Sequence, residues 1–312
     1  MVTGVIGTGH LGFHHARILG EITGDTVPVF DTDRERMTEL ASRIDVRPCS
    51  SVESLLERCG SVVVATTTSS HHQVVLRALD AGVHVLVEKP IASTISEGRE
   101  LVERAEENNL VLAVGHVERF NPAVLAASGL IDEPLFVEGH RLAPFNPRGT
   151  DVSVVLDLMI HDIDLVLSFV RSPVVSVQAS GIPVLSEHVD IASARIQFEN
   201  RCVVNMTASR ISREPVRKLR FFQPRRYVSV DFAARKVDAY RLDGSEICPV
   251  SVEVPEVDAL TEELKDFRSA CATGSDPVVT GTDGLNALIS AQIISTRIQE
   301  AAEEVIGGIS PE

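Results

Sequence analysis

Short apolar runs alternate with longer helical patterns through the first 115 residues of the chain. The apolar runs lie at 2–6, 26–30, 61–65, 83–87 and 110–114, and the helical patterns lie at 10–19, 34–43, 52–59, 71–81 and 94–108. Repeated strand–helix units with right-handed crossovers form a parallel sheet that is covered on both faces. We therefore predict an α/β fold whose first domain, residues 1–117, is a doubly wound parallel sheet.

A glycine-rich turn, Gly7-Thr8-Gly9-His10-Leu11-Gly12, joins the first apolar run to the first helical pattern. Gly7 permits a tight turn, Gly9 lets the backbone approach a pyrophosphate, and Gly12 lets helix and strand pack closely. The second strand ends in Asp31, about 20 residues further on, where a carboxylate binds ribose hydroxyls. This context predicts a dinucleotide site whose cofactor-binding residues are Gly7, Gly9, His10, Leu11, Gly12 and Asp31.

Charge near the second strand bears on which dinucleotide binds. Asp31 repels the 2′-phosphate of NADP, and Asp33 adds a second negative charge. Arg34 and Arg36 keep NADP open as a cofactor, although on a helix face such arginines are commonly solvated. The balance favours NAD over NADP.

The run at 83–87 ends in Glu88-Lys89-Pro90. The carboxyl edge of an open parallel sheet is where such folds bind ligands, and Pro90 prevents a simple continuation of the strand. Lys89 is a candidate catalytic residue because it lies where such folds place their chemistry, and Glu88 and Lys89 are candidate cofactor-binding residues. For the tripeptide alone, the alternative is a solvated loop.

The segment after the run at 61–65 is rich in hydroxyl groups and leads into a helix. We predict that Thr66, Thr68 and His71 lie beside the ribose and phosphates of the cofactor. Capping of the helix by Ser69 or Ser70 is the alternative, and it is compatible with ligand contact.

Polar side chains crowd the chain just after residue 114, at the carboxyl end of another predicted strand. We predict that His116, Glu118, Arg119 and Asn121 form a substrate-binding wall. The alternative is a domain linker with helix caps. We place the domain boundary after residue 117, so that 118–312 form a second, α+β domain whose last helices are free to pack on the first.

Asp157 and His161 are four residues apart in an apolar helical pattern and share one helix face. A carboxylate beside an imidazole orients and tunes it, as a general base near neutral pH requires. Both residues are therefore candidates for catalysis and substrate binding, while a histidine at this spacing alone is more often a hydrogen-bonded structural residue.

Between residues 174 and 254 the hydrophobic period changes to two, which predicts a mostly antiparallel open sheet followed by helices at 260–272 and 282–303. One face of this sheet lacks an obvious cover, so we predict a homodimer or homotetramer through it. An arginine-rich cluster also lies here, and its interpretation stays open between an anion site and a solvated face. Its members are Arg210, Arg213, Arg217, Lys218, Arg220, Arg225 and Arg226.

Composition narrows the partners. A net charge of −15 disfavours nucleic acid and anionic membranes. No apolar run approaches the roughly 20 residues of a membrane span, and the start of the chain lacks a signal-peptide pattern, so we expect a cytoplasmic protein. The five cysteines are scattered, which favours free thiols, and we expect no metal site because the adjacent His71 and His72 point to different helix faces.

Taken in order, these motifs resemble the family of glucose-fructose oxidoreductase, inositol dehydrogenase and MocA over essentially the full length. They are the three glycines, Asp31, the Thr68 to His71 piece, Glu88-Lys89-Pro90 and the Asp157–His161 pair. The resemblance implies an NAD(P)-dependent dehydrogenase in which Lys89 contacts substrate and nicotinamide and His161 is the acid/base, with Asp157 beside it. Thr67 departs from the proline that relatives usually carry.

Two further segments are similar to a branch of nucleotide-sugar dehydrogenases that oxidise the 3-hydroxyl of UDP-N-acetylglucosamine. They are Val114 to Pro122, which includes Arg119, and Thr207 to Arg210, and they imply that Arg210 binds substrate. An inositol or free-sugar dehydrogenase of the same family is an alternative. A non-catalytic NAD-binding regulator is another, although a regulator need not keep Lys89, Asp157 and His161.

Overall fold

The computed structural model describes residues 1–146 and 152–308. The chain forms two compact units: Met1–Val117 with Asp258–Leu288, and Glu118–Val257 with the rest of the C-terminal segment. The predicted boundary after residue 117 lies at the end of the first of these segments. None of the helices described is long and apolar enough to cross a membrane.

The first unit contains a parallel sheet with strand order β3-β2-β1-β4-β5-β6. Its strands are β1 Thr3–Ile6, β2 Val27–Phe30, β3 Val46–Pro48, β4 Ser61–Val64, β5 His84–Glu88 and β6 Leu112–Gly115. The predicted doubly wound parallel sheet is confirmed. Strand β3 was not predicted, because only Val46 in it is buried and Pro48 is a residue that sheets confine to their edges.

Helices connect these strands: α1 His10–Thr23, α2 Arg34–Arg43, α3 Val52–Leu56, α4 Thr68–Asp80 and α5 Ile95–Glu107. Side-chain caps explain several of the starts. Asp33 accepts from two backbone N–H groups of α2, and Ser51 and Thr94 form capping boxes with α3 and α5. By contrast, α1 begins at Gly9 without a side-chain cap and without an acidic residue in its first turn. The first N–H groups of α1 therefore have no side-chain cap from Gly9.

The second unit contains a sheet with strand order β14-β13-β12-β11-β7-β10-β9-β8. Its strands are β7 Phe136–Leu142, β8 Val174–Ile182, β9 Ile191–Phe198, β10 Val203–Ser209, β11 Val216–Gln223, β12 Arg226–Asp231, β13 Lys236–Asp243 and β14 Glu246–Val250. Only the β7–β10 pairing is parallel among the pairs described, so the predicted mostly antiparallel sheet is confirmed. Strand β7 was missed, because its inward positions include Gly139 and the charged Arg141.

Two helices precede strand β8: α6 Pro122–Ser128 and α7 Ile160–Val170. A single π-helical segment, Val155–Met159, leads directly into α7. The sequence predicted a helical pattern here without that change of winding. π-Helical turns are rare and often occur at functional sites.

The chain ends in α8 Ala259–Thr273 and α9 Gly281–Gly308. Helix α8 belongs to the first unit, where Leu264 and Phe267 join Val5, Ala16 and Leu19 in the core. This packing places further side chains of α8, including Glu263, inside the first unit.

Candidate active site

The glycine turn has the backbone geometry that a dinucleotide requires. Gly7 has φ +94°, and a Cβ on Gly12 would stand 1.9 Å from the carbonyl oxygen of Gly7. A Cβ on Gly9 would meet nothing within 4 Å in the part of the chain that the structure describes. The turn is therefore closed on its protein side and open at Gly9, next to the N-terminus of α1, where His10 and Leu11 are exposed.

Asp31 lies at the end of β2 and is tied to the glycine turn by Thr8. The backbone N–H and the hydroxyl of Thr8 both donate to Oδ2 of Asp31, at 2.7 and 2.9 Å, and the N–H of Asp33 donates to Oδ1 at 2.9 Å. Burial alone would raise the pKa of Asp31, but these donors lower it below its usual value. Asp31 is therefore a fixed carboxylate beside the turn.

A cavity of about 560 Å³ lies next to Asp31 at the carboxyl ends of β2 and β3, with Thr32, Arg34 and Ser50 in its wall. A larger cavity of about 620 Å³ lies at the amino ends of β5 and β6, away from the glycine turn. Ligands of open α/β sheets bind at the carboxyl ends of strands, so the cavity beside Asp31 is the relevant one. The turn, the uncapped helix and the acidic strand end together fit the phosphates and ribose of a dinucleotide.

His71 holds two loops of the first unit together. It is buried, with Nδ1 2.9 Å from the carbonyl oxygen of Pro90 and Nε2 3.2 Å from that of Thr66. Burial is the main cause that lowers the pKa of His71. His71 thus fixes the loop after β4 against the loop after Lys89. The first of these loops carries Thr66 and leads into Thr68, the first residue of α4. Direct contact of these three residues with a cofactor stays a prediction.

Glu88 and Lys89 differ in their surroundings. Glu88 is the last residue of β5, and its carboxylate lies 2.7 Å from Nε2 of His15, a fully buried residue of α1. Lys89 follows at the strand end and is partly exposed. Lys89 is therefore partly accessible to solvent, whereas Glu88 lies in the interior, and cofactor contact by either residue stays a prediction.

In the second unit, the polar residues after β6 form a buried network. Arg141 of β7 donates to Oδ1 of Asp162 at 2.7 and 3.0 Å and to Oε1 of Glu118 at 2.9 Å. The two carboxylates raise the pKa of Arg141, outweighing burial, which alone would lower it. Asn121 donates to Glu118 at 3.1 Å and accepts from the N–H of Ala123, which caps α6.

Arg119 makes a second pairing, with Asp164. Its Nε and Nη2 donate to the two carboxylate oxygens at 2.7 and 2.8 Å. Asp162 and Asp164 lie on either side of Ile163 in the first turns of α7, directly after His161. Two arginines therefore fix the start of the helix that carries His161, and the predicted substrate contacts of Glu118 and Arg119 stay untested.

Asp157 lies within the π-helical segment and His161 at the start of α7, and both side chains are partly exposed. They lie about one turn apart, as the spacing predicts, but the winding between them is wider than α-helical. Their catalytic roles stay predictions.

Arg210 is buried rather than displayed on the arginine-rich surface. Its Nε lies 3.7 Å from Oδ1 of Asp190, and its Nη2 donates to the carbonyl oxygen of Val152. Lys218 and Arg220 face Asp231 and Glu138 at 3.0 and 2.7 Å. These members of the cluster thus have acidic partners, and substrate contact by Arg210 stays a prediction.

His116, predicted to bind substrate, is fully buried in the first unit at the end of β6. Among the described residues, no three His, Cys, Asp or Glu side chains cluster closely enough to hold a metal ion.

The sequence did not point to Thr8, His15, Arg141, Asp162, Asp164 or Glu263. Signals for some of them were present. His15 occupies the buried face of α1 with Gly12 and Leu19, and Asp162 and Asp164 stand in an otherwise apolar helical stretch. A charged or imidazole side chain on a buried face requires a partner, but the sequence does not say which.

Comparison with known proteins covers both units. A family model described as "Oxidoreductase family, NAD-binding Rossmann fold" matches residues 1–116, and one described as "GFO/IDH/MocA C-terminal domain" matches residues 124–225. The chain is 37% identical to UDP-N-acetylglucosamine 3-dehydrogenase of Acidithiobacillus ferrooxidans, over 96% of this chain and 97% of that protein. A solved structure of that enzyme, GnnA, superposes with a TM-score of 0.92 at 38% identity, covering 96% of this chain and 98% of the other.

A more distant relative acts on a different alcohol. The chain is 27% identical to scyllo-inositol 2-dehydrogenase (NAD(+)) of Bacillus subtilis, over 67% of this chain and 67% of that protein.

The buried network of the second unit predicts a contrast between two arginines. Arg141→Leu leaves Glu118 and Asp162 buried without their counter-charge, which costs about 3 kcal/mol or more. Arg220→Leu breaks a pair of the same length that is about one-third exposed and costs less than about 1 kcal/mol. Differential scanning calorimetry should show a melting temperature lower by roughly 6 °C or more for Arg141→Leu and nearly unchanged for Arg220→Leu. Equal losses in the two variants would contradict a buried, structural role for Arg141.

Proposed function

This chain belongs to the Gfo/Idh/MocA oxidoreductase family, and from that premise we propose that it transfers hydride between NAD and a sugar hydroxyl. The best-supported substrate is UDP-N-acetylglucosamine, oxidised at its 3-hydroxyl. One observation carries this proposal: the relative that is 37% identical along nearly the whole of both chains is named for that reaction. The glycine turn, Asp31, Lys89, Asp157 and His161 supply the residues that the reaction requires.

The mechanism assigns one task to each residue. His161 removes the proton of the hydroxyl group, and Asp157 orients its imidazole. Lys89 stabilises the developing alkoxide by charge and hydrogen bonding. The glycine turn and Asp31 would hold NAD, which would supply the hydride acceptor for the same carbon. Arg119, Asn121 and Arg210 belong to the proposed substrate-binding set, in which the diphosphate of a nucleotide sugar would require cationic neighbours.

The substrate proposal predicts a specific ligand response. In a thermal-shift panel with NADH present, UDP-N-acetylglucosamine should raise the melting temperature, since a ligand stabilises the state that binds it. Its uronic acid and inositol should have smaller effects. A shift with inositol alone would favour an inositol dehydrogenase instead. Binding of NAD without turnover of any of these compounds would favour a regulator.

The catalytic proposal predicts that Lys89→Met and His161→Ala each lower kcat by roughly 100-fold or more while NAD affinity stays nearly unchanged. Cofactor affinity should depend on the glycine turn and Asp31 instead. Lys265→Met is the matched control, because Lys265 pairs with Glu262 on the exposed face of α8. Wild-type turnover in His161→Ala, with the chemical step rate-limiting, would show that another group takes the proton.

The charges at the end of β2 predict that NAD binds at least tenfold more tightly than NADP, about 1.4 kcal/mol. Asp31→Ser should narrow this gap, because it removes the negative charge that repels the 2′-phosphate of NADP. Asp25→Ser changes an exposed acid just before β2, at the opposite end of that strand, and should leave the gap unchanged. Calorimetric titration measures both affinities, and equal values for the wild type would refute the preference.

The open face of the second sheet is the proposed interface of a homodimer or homotetramer. Phe136, Phe222, Tyr227 and Tyr240 form a row across four strands there, with ring centroids 5.7, 5.1 and 6.2 Å apart. Phe222 and Tyr240 are 38% and 40% exposed, so the row is available to a second copy.

Light scattering at micromolar concentration should therefore give a dimer or tetramer. The double variant Phe222→Glu/Tyr240→Glu should shift it to a monomer. Val278→Glu, an equally exposed apolar position in the first unit, is the control and should not do so. A wild-type monomer would exclude this interface.

A further inference from the structure

A buried acid–imidazole pair includes Glu88, the residue immediately before Lys89. The side chain of Glu88 is 11% exposed. Its Oε1 lies 2.7 Å from Nε2 of His15, whose side chain has no exposed surface. Since Glu88 accepts, His15 donates the hydrogen on Nε2.

The backbone beside Glu88 leaves room for its carboxylate and little else. Glu88 pairs with Gly115 across β5 and β6. A Cβ on Gly115 would stand 2.9 Å from Oε2 of Glu88, closer than real Cβ contacts. One oxygen therefore faces His15 and the other faces the glycine backbone. This geometry holds the carboxylate in the protein interior rather than presenting it to a ligand.

Several titratable groups face this carboxylate: His15 on α1, His71 on α4, Lys89 beside it and Glu263 on α8. Burial alone would raise the pKa of Glu88, but His15 first, and then Lys89 and His71, lower it. The Glu88 carboxyl is therefore ionised.

Glu263 is the opposite case. It is 3% exposed, and neither carboxyl oxygen has a hydrogen-bond partner among residues 1–146 and 152–308. Burial raises the pKa of Glu263 well above its usual value, and the charge of Glu88, followed by that of Asp266, raises it further. Two neighbouring buried carboxyls do not both ionise when only one has a donor. Glu263 therefore carries a proton.

We propose that His15 and Glu88 are positioning residues for Lys89: His15 keeps Glu88 ionised, and the Glu88 carboxylate, on the residue next to Lys89, favours the ammonium form of that lysine. Glu263 stays neutral, so the negative charge of this cluster is located next to the lysine. The inference deepens the role given to Lys89 in the proposed function and rests on it for the catalytic consequence. It also reassigns Glu88, which the sequence predicted to contact the cofactor.

The lysine content of the chain makes a direct test possible. Lys89, Lys218, Lys236 and Lys265 are the four lysines. Reductive methylation with ¹³C-formaldehyde gives each amine an NMR signal whose shift follows its protonation, and Lys89→Arg identifies the signal of Lys89. The other three pair with acids on the surface and serve as internal controls. This readout requires neither substrate nor turnover.

In Glu88→Gln, the titration midpoint of Lys89 should fall by about one pH unit, because a neighbouring negative charge is lost while side-chain size is kept. His15→Leu should shift it in the same direction, because Glu88 then lacks its donor and takes up a proton. The double variant should show no further shift, since both changes remove the same charge. His14→Leu, one residue away on α1, is the matched control and should leave the midpoint unchanged.

Glu263→Gln should also leave the midpoint unchanged, because a neutral acid is exchanged for a neutral amide. If Glu263→Gln lowers the Lys89 midpoint as far as Glu88→Gln does, Glu263 carries a negative charge and the proposal is wrong. An unmoved Lys89 signal in Glu88→Gln overturns the proposal. If that variant also loses NAD affinity tenfold, Glu88 is a cofactor ligand instead.

Activity adds a separate readout once a substrate is known. In Glu88→Gln the alkaline limb of the kcat/KM profile should move to lower pH, in step with the Lys89 midpoint. If the Lys89 midpoint moves but neither UDP-N-acetylglucosamine nor inositol is turned over, the substrate proposal is refuted and the charge relation between Glu88 and Lys89 stands. If the alkaline limb of the kcat/KM profile stays in place while the titration midpoint of Lys89 moves, the protonation of Lys89 does not control catalysis.

Discussion

A charge removed from water is destabilising by several kcal/mol unless partners compensate for it, and the candidate site depends on charges of this kind. In the first unit, Glu88 is buried behind Lys89 and accepts from His15. In the second, Asp162 and Asp164 accept from Arg141 and Arg119 beside His161. Each pairing connects elements far apart in sequence. Because removing one partner would leave the other buried and uncompensated, the Glu88–His15 pair holds the end of β5 and the two arginine–aspartate pairs hold the start of α7, each within its own unit.

Most of the first unit follows from local patterns. Apolar runs predicted β1, β2, β4, β5 and β6. Gly7 and Gly12 matched the turn because its backbone geometry permits few other residues at these two positions. The elements that escaped prediction lack a local pattern. Strand β7 places Arg141 where a core residue would stand, and Asp162 and Glu118 from other elements accept its hydrogen bonds there. A tertiary ion pair of this kind leaves no periodicity in the sequence.

The sequence predicted the positions of some candidate site residues, but it did not predict the charged partners of others. Asp31, Lys89 and the glycine turn lie at strand ends because the order of strands and helices dictates it. The sequence predicted that Glu118, Arg119 and Arg210 bind substrate. In the structure each of them forms an ion pair with another residue of the chain. Residue type and spacing indicate that a side chain will need a partner. Only the fold shows whether a carboxylate of the chain supplies it.

The proposed activity of this chain is one chemical event, the transfer of hydride from carbon 3 of a nucleotide sugar to NAD. Substrate labelled with deuterium at that carbon tests it without reference to any variant. After incubation of the purified protein with NAD and [3-²H]UDP-N-acetylglucosamine, mass spectrometry should find the deuterium in the reduced nicotinamide. Unlabelled NADH from that substrate, or no NADH at all while inositol is oxidised, would contradict the account.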